Sequence, residues 1–156
     1  MATISFKSVG KKVSENQTPT VPVSTPIGIS TPMQLGEGSD GIFRTHRVLG
    51  NQISDNLRNL ILTNYGERLG QYDFGANLKQ LVFDYSSNPD WESDVMSNIK
   101  NAVAKFMPYV ELESFETSID TNNDPQIATV EITVSFNVPT AGVSNKAIRV
   151  FFEAGG

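Results

Sequence analysis

Cysteine is absent from this chain of 156 residues. Its absence excludes disulfides, zinc–thiolate sites and thiol catalysis, and the chain can fold in a reducing cytoplasm. No apolar run approaches the roughly 20 residues that a membrane-spanning helix needs. Residues 1–7 lack the apolar core of a signal peptide. We therefore expect the protein to stay in the compartment where it is made until it is assembled into a larger structure.

Basic residues are also few, because 12 Lys and Arg stand against 17 Asp and Glu and the formal net charge is −5. This balance argues against nucleic-acid binding, which needs a basic face. It suits partners that carry Lys and Arg, although a mildly acidic surface is also the ordinary solution to solubility. Charge alone therefore leaves the partner open.

Residues 1–41 lack a helical pattern. Half of the eight prolines lie in this segment among Thr, Ser and Gly. Proline removes an amide donor and biases the preceding residue toward extended geometry. We predict an extended Pro/Thr/Gly-rich arm over 1–41 and a folded domain over 42–156. Composition also allows a disordered tail, but apolar residues such as Ile4, Phe6 and Val21 would be buried if the arm lay in a groove of a neighbouring subunit.

The first predicted helix starts at Gly50 or Asn51 and ends near Thr63. Apolar residues spaced three or four apart form one stripe along it, and Asp55 falls on the opposite, polar face. Gly66 is placed to end this helix. These residues therefore predict an amphipathic helix with Asp55 turned away from the core.

Two further helices are predicted. A short one covers 75–83. A long one begins in the cluster 86–89, where proline is tolerated in a first turn, and ends before Pro108. Trp91 falls on the apolar stripe of the long helix. A short strand is predicted around Phe43.

After Pro108 the apolar period changes from about 3.6 to 2, which indicates strands. The first strand has a phase slip that predicts a bulge near Ser114, and 120–125 is predicted as a turn or loop. Strands over 130–138 and 146–153 follow. Consecutive strands with short links favour an antiparallel sheet. We therefore predict an α+β fold in which two or three helices pack on one face of a mainly antiparallel sheet.

One segment carries the most specific pattern. Residues 60–75 read Leu-Ile-Leu-Thr-Asn-Tyr-Gly-Glu-Arg-Leu-Gly-Gln-Tyr-Asp-Phe-Gly, and Leu-Val-Phe follows at 81–83. With the long helix broken by Pro108 before paired strands, this pattern resembles the baseplate wedge or sheath-initiator family of contractile phage tails. The same family supplies a baseplate subunit to type VI secretion machines, where the turn usually reads Glu-Pro-Arg. In this chain no proline lies between Glu67 and Arg68.

The resemblance implies an assembly protein of the virion tail baseplate, made in the host cytoplasm. It implies wedge proteins, tail tube and sheath subunits as partners, and no cofactor, metal, nucleic acid, membrane or small-molecule substrate. Strand addition would nucleate the sheath, because exposed edge amides and carbonyls pair with an incoming chain. The final strand is the candidate edge, although an ordinary terminal strand is equally compatible with the sequence. Its candidate residues are Lys146, Ile148, Arg149, Val150 and Phe152.

The turn is the second candidate site, as a partner-binding or structural element. The guanidinium of Arg68 is a planar fork of donors that matches a carboxylate or a set of carbonyls. It could tie the first helix to the second, or it could reach into a partner, and the sequence leaves both open. The candidate residues are Gly66, Glu67, Arg68, Asp73, Phe74 and Gly75.

Muramidase activity is the alternative, because the resembled family has carried an acidic-lysozyme label and two carboxylates are the minimum for glycoside hydrolysis. Glu67 and Asp73 would supply them, and Glu67→Gln would abolish cell-wall clearing. However, Arg68 beside Glu67 lowers the carboxyl pKa where a general acid needs it raised. Trp91 is predicted on a core stripe and not in a sugar groove. His46, the only histidine, has no sequence support for a catalytic triad or a metal site.

Overall fold

A computed structural model of the chain describes residues 25–37, 41–83, 88–124 and 127–155. The predictions made for residues 1–24 lie outside these ranges. The described elements, in chain order, are β1 (Gly28–Ile29), β2 (Thr45–His46), α1 (Leu49–Leu62), α2 (Leu78–Phe83), α3 (Trp91–Phe106), β3 (Glu111–Asp124), β4 (Ile127–Val138), a 3-10 turn (Pro139–Ala141) and β5 (Val143–Gly155). The predicted α+β class is confirmed.

The main sheet has three antiparallel strands in the order β3-β4-β5. β4 is central, and its alternation of apolar and polar residues separates two faces. One face is buried beneath the helices, and the residues of the other face are half-buried. The buried row of β4 consists of Ala128, Val130, Ile132, Val134, Phe136 and Val138. The predicted dry face of this strand is therefore confirmed.

The three helices cover that dry face. α1 and α2 pack against β5, and α3 packs against β3. The predicted apolar stripes of α1 and α3 are buried in one core, with Leu57 and Val95 fully enclosed and Trp91 only 6% exposed. Each fully buried aliphatic side chain contributes about 1.5–3 kcal/mol, so packing of the helices on the sheet is the main source of stability.

Helix boundaries differ from the predicted ones. α1 begins at Leu49 without a side-chain cap and ends at Leu62, where Thr63 is extended, so Gly66 does not end it. α2 begins at Leu78 and not at 75. α3 begins at Trp91. Residues 88–90 form a separate turn, in which the Asn88 side chain accepts a hydrogen bond from the Asp90 amide at 2.9 Å, and residues 86 and 87 of the predicted helix start lie outside the described residues.

Strand boundaries also differ. β3 continues to Asp124, which pairs with Ile127, so the loop predicted over 120–125 is wrong for 120–124, and residue 125 lies outside the described residues. The register with β4 is irregular between Asp120 and Asp124. β5 begins at Val143, three positions before the predicted start. The predicted bulge is confirmed, because the register shifts between Leu112 and Ser114.

A small hairpin precedes α1. β1 pairs with β2 in an antiparallel two-stranded sheet, and an isolated bridge joins Leu35 to Phe43. Residues on both sides of position 41 are therefore paired with each other. The division into an arm over 1–41 and a domain over 42–156 stays a prediction.

Asp55 of α1 fastens this hairpin to the helix. Its Oδ2 accepts a hydrogen bond from the Thr31 amide at 2.7 Å and lies 2.7 Å from His46 Nε2. Arg58 Nη1 lies 3.4 Å from Oδ1. Asp55 is only 8% exposed, because the hairpin covers the polar face of α1 on which the sequence placed it. Burial raises the pKa of Asp55, but the hydrogen bonds from His46 and Thr31 outweigh burial and leave this pKa lowered.

We expect Asp55→Asn to lower the free energy of unfolding by about 1–3 kcal/mol, because a buried charge-assisted contact is lost. Since the folded pKa is lowered, the stabilisation is complete above the unfolded pKa of about 3.9 and is lost as pH falls through the folded pKa. Denaturant unfolding of both proteins between pH 7 and pH 3 measures this difference.

Asp90→Asn is the matched control, since Asp90 is exposed and its side chain makes no capping hydrogen bond. We expect this change to alter the free energy of unfolding by less than about 0.5 kcal/mol. If the difference in the free energy of unfolding between wild type and Asp55→Asn stayed constant down to pH 3, the ionised Asp55 carboxylate would not be the source of the stabilisation.

Candidate functional site

Residues 63–77 connect α1 to α2 as a loop that is closed by its own backbone. The Gly66 amide donates to the Tyr72 carbonyl at 2.7 Å. At its base, the Ala76 amide donates to Leu60 O at 3.1 Å and the Asn77 amide to Thr63 O at 3.3 Å. We call these residues the α1–α2 loop. Its hydrogen bonds indicate a defined shape, because each one restricts the backbone.

Glu67 stabilises the loop through hydrogen bonds to another loop residue, Asn64. Its carboxylate accepts hydrogen bonds from the Asn64 amide at 2.8 Å and from Asn64 Nδ2 at 2.9 Å. Asn64 Oδ1 in turn accepts from the Lys79 amide in the first turn of α2 at 3.1 Å. The backbone hydrogen bond from Asn64, followed by its side-chain hydrogen bond, lowers the pKa of Glu67. Glu67 and Asn64 therefore link the turn to α2.

Gly75 sits at the base of the loop with φ +117°. A Cβ at this position would lie 2.1 Å from Thr63 O. Only glycine fits, because the backbone conformation is unfavourable for an L side chain and the neighbouring atom is backbone that cannot move aside. This is the physical reason for glycine after Phe74 in the sequence pattern.

Arg68 lies over the ring of Phe74, with its Cζ 3.9 Å from the ring centroid. Phe74 packs in turn on Phe106 of α3, with 5.0 Å between ring centroids. Asp73 forms an ion pair with Lys105, and this contact lowers the pKa of Asp73. These contacts join the loop to the end of α3. Arg68 also lines an open cavity of about 270 Å³, together with Asn56, Asn59, Phe74, Phe106, Met107 and Tyr109.

Three apolar or aromatic side chains of the loop point into solvent. Leu69 is 92% exposed, Tyr72 68% and Tyr65 55%. Tyr and Leu side chains that are exposed on a defined backbone suit protein contacts, since little further entropy is lost when a partner buries them. These three residues were not among the candidates chosen from the sequence. The sequence did contain a sign of their exposure. These apolar and aromatic residues follow neither a helical nor a strand period, and they lie in a segment with three glycines.

The two carboxyl groups of the muramidase alternative lie in the same loop. Both Glu67 and Asp73 are exposed. Their pKa values are lowered by hydrogen bonds from Asn64 and Lys105 respectively, whereas a glycosidase general acid needs a raised pKa. Trp91 is buried in the core. Within the described residues, no group of three or more His, Asp or Glu side chains could hold a metal ion.

The candidate edge strand lies at one end of the main sheet. In the described part of the chain β5 pairs with β4 alone. Ile148 and Val150 are buried in the core, and Phe152 packs against it. Lys146 Nζ donates to Asn51 Oδ1 of α1 at 2.6 Å, and Arg149 Nη1 lies 3.8 Å from Glu131 Oε1 of β4.

The structure is a small α+β domain with two exposed surfaces, the α1–α2 loop and the open edge of β5. Such surfaces are typical of proteins that assemble with other subunits. The model of one family, baseplate wedge protein gp25, matches residues 47–142. This match covers more than half of the chain, and the chain belongs to the baseplate wedge protein gp25 family. It is a structural component of the baseplate of a contractile tail, and its partners are other baseplate components. The resemblance found in the sequence is confirmed.

Among curated protein sequences, none matches this chain significantly. Solved structures do match. The cryo-EM structure of the anti-feeding prophage baseplate contains a chain with 12% identity and a TM-score of 0.51, and the match covers 81% of this chain and 82% of that one. At this identity the likeness shows the fold alone. None of the helices described here is long and apolar enough to cross a membrane.

Two further matches have lower TM-scores. A crystal structure from Geobacter sulfurreducens, described as that of a candidate tail lysozyme, has 20% identity and a TM-score of 0.49, covering 68% of this chain and 89% of that one. A chain in the baseplate complex of the type VI secretion system has 12% identity and a TM-score of 0.41, covering 67% and 93%.

We expect Gly75→Ala to lower the free energy of unfolding by about 2–4 kcal/mol, because the methyl group collides with Thr63 O and the backbone is strained. Gly70→Ala is the matched control. Gly70 also has positive φ, at +80°, but a Cβ there would meet no atom within 4 Å. Its expected cost is about 1 kcal/mol. Thermal and denaturant unfolding measure the loss of stability in each variant. Equal losses in the free energy of unfolding would contradict the close approach at Gly75.

Proposed function

We propose that this subunit joins the wedge proteins to the tail tube and sheath, and that β5 nucleates the sheath by accepting a strand from a sheath subunit. The observation that carries this proposal is the open edge of β5, a strand of 13 residues with a single neighbour among the described residues. An edge of this length presents a row of amides and carbonyls that an incoming strand can pair with.

The side chains of β5 support this role. Its inner row is anchored in the core, so the edge is held in place before a partner arrives. Lys146 and Arg149 add charge along the strand, and their contacts with Asn51 and Glu131 keep them beside the sheet. Charges on an edge discourage unspecific pairing, while a partner strand of suitable charge can still add.

A shallow groove of about 670 Å³ continues from the end of β5 to the α1–α2 loop. Phe151 and Leu62, which line it, are 58% and 43% exposed. Glu67 and Lys79 form its polar side. A strand added to β5 would lie next to this groove and could bury both apolar side chains. The groove thus connects the strand edge to the exposed loop.

The α1–α2 loop is the second partner contact in this proposal. Glu67, Asp73, Phe74 and Gly75 hold the loop in shape, and Arg68 stacks on Phe74. Tyr65, Leu69 and Tyr72 then form the contact surface for a wedge protein with an apolar pocket, since Leu69 is almost fully exposed. The candidate residues of the turn are thus positioning residues for the exposed side chains, and the protein has no catalytic role.

Hydrogen–deuterium exchange tests the proposed strand edge. In complexes with the cognate sheath subunit, we expect alternate amides of β5 to exchange at least about 100-fold more slowly than in the isolated protein, because the open-side amides become paired. The amides of β4 serve as the internal control, since β4 is paired on both sides already. Unchanged exchange along β5 in a complex that seeds sheath polymerisation would refute strand addition there.

Leu69→Ser combined with Tyr72→Ser tests the loop. We expect wedge-protein binding to weaken at least about 30-fold, which corresponds to about 2 kcal/mol for exposed apolar anchors. The melting temperature should stay the same, because neither side chain is buried. Leu35→Ser is the control, since Leu35 is 80% exposed on the β1–β2 hairpin. Full affinity in the double variant, measured by calorimetry with purified wedge protein, would exclude the loop as the contact.

A further inference from the structure

β3 forms the other end of the main sheet, opposite β5, and in the described residues it pairs with β4 alone. Its 14 residues include five acidic ones and no Lys or Arg. Glu111, Glu113 and Glu116 are exposed along it. Like charges in a row repel one another, and a basic strand alongside would relieve the repulsion. β3 is therefore an open edge with a strong charge preference.

An apolar cleft opens beside this edge, between α3 and β3. Its volume is about 210 Å³. Leu112 and Phe115 of β3, Met96 and Ile99 of α3, and Val134 of β4 supply the apolar lining, with Lys100, Glu113 and Ser114 at the polar side. The volume suits one or two apolar side chains. An added strand would direct alternate side chains toward this cleft.

The first 24 residues of the chain match both features. They contain three of the twelve basic residues, Lys7, Lys11 and Lys12, but one of the seventeen acidic residues, Glu15. This segment therefore has a net charge of +2, while the remainder of the chain has −7. Ile4 and Phe6 alternate with Ser5 and Lys7, which is the period-2 pattern of a strand with one apolar face.

We propose that residues 3–12 of the same molecule add to β3 as a fourth strand, with Ile4 and Phe6 in the cleft and Lys7 and Lys11 beside the glutamates. Residues 13–24 form the tether to the first described residue, Thr25. These 12 residues span up to about 40 Å when extended. A domain of this size has a radius of gyration of about 14 Å, so the tether can reach β3. Tethering also raises the effective concentration of the segment.

The absence of cysteine makes disulfide trapping a clean test. Ser5, on the face opposite Ile4 and Phe6, is changed to Cys together with Ser114→Cys or Ser118→Cys, both exposed on β3. Ser5→Cys with Ala147→Cys on β5 is the matched control. We expect an internal disulfide in the full-length monomer, with one β3 partner reacting at least about 10-fold faster than the β5 control, because bridging needs Cα atoms within about 7 Å.

Equal rates for the β3 and β5 pairs would overturn the proposal. A disulfide-linked dimer in place of the internal bridge would also overturn it, because the occupant would then be a second copy of the chain. Neither result depends on strand addition at β5, so the test is independent of the proposed function.

Charge-reversal substitutions provide a second test. We expect Lys7→Glu, Lys11→Glu and Lys12→Glu together to speed amide exchange along β3 at least about 10-fold, since the added strand leaves. Glu113→Lys with Glu116→Lys in the same protein should restore protection. Emission of the single tryptophan, Trp91, which is buried in the core, verifies that the fold is intact. Unchanged exchange along β3 in the triple variant would contradict the proposal.

Discussion

The close approach of Gly75 to the Thr63 carbonyl is the contact on which the exposed surface near α1 and α2 depends. Because Gly75 has no side chain, the end of the α1–α2 loop can pack against the end of α1. Phe74 is thereby placed against Phe106, and its outer face is available to Arg68. A loop fixed at its base and braced on α3 can present large apolar side chains to solvent without collapsing onto the domain.

The sheet supplies the second constraint. β4 pairs with β3 on one side and with β5 on the other, so within the described residues a further strand can pair only at the two ends of the sheet. The ends differ chemically. β3 is uniformly acidic, whereas β5 carries Lys146 and Arg149 beside Glu153. A subunit with two unlike ends can distinguish two incoming strands by charge, because wrong pairings set like charges side by side.

The spacing of apolar residues correctly predicted those helices and strands that bury one face in the core. The period-2 run of β4 and the stripe of α3 appear in the structure as predicted, because each packs one face on the core. The burial of Asp55 was not predicted, since it depends on contacts with Thr31 and His46, which lie outside α1. The extension of β3 to Asp124 was missed because Asn and Asp favour turns locally, whereas the strand continues through them to the pairing of Asp124 with Ile127. Tyr65 and Leu69 follow no helical or strand period, so the sequence offered only their place in a glycine-rich loop as a sign of exposure.

The linkage of Thr31 and His46 to Asp55 has a mechanical consequence. Tension applied at Thr25, the first described residue, first meets the β1–β2 pairing and this buried carboxylate, which lies in the first half of α1. The pull therefore enters the domain through a short helix segment that is packed on the sheet. Tension along β5 would instead be resisted in shear by its whole ladder with β4. The N-terminal hairpin and β5 would therefore yield at different forces.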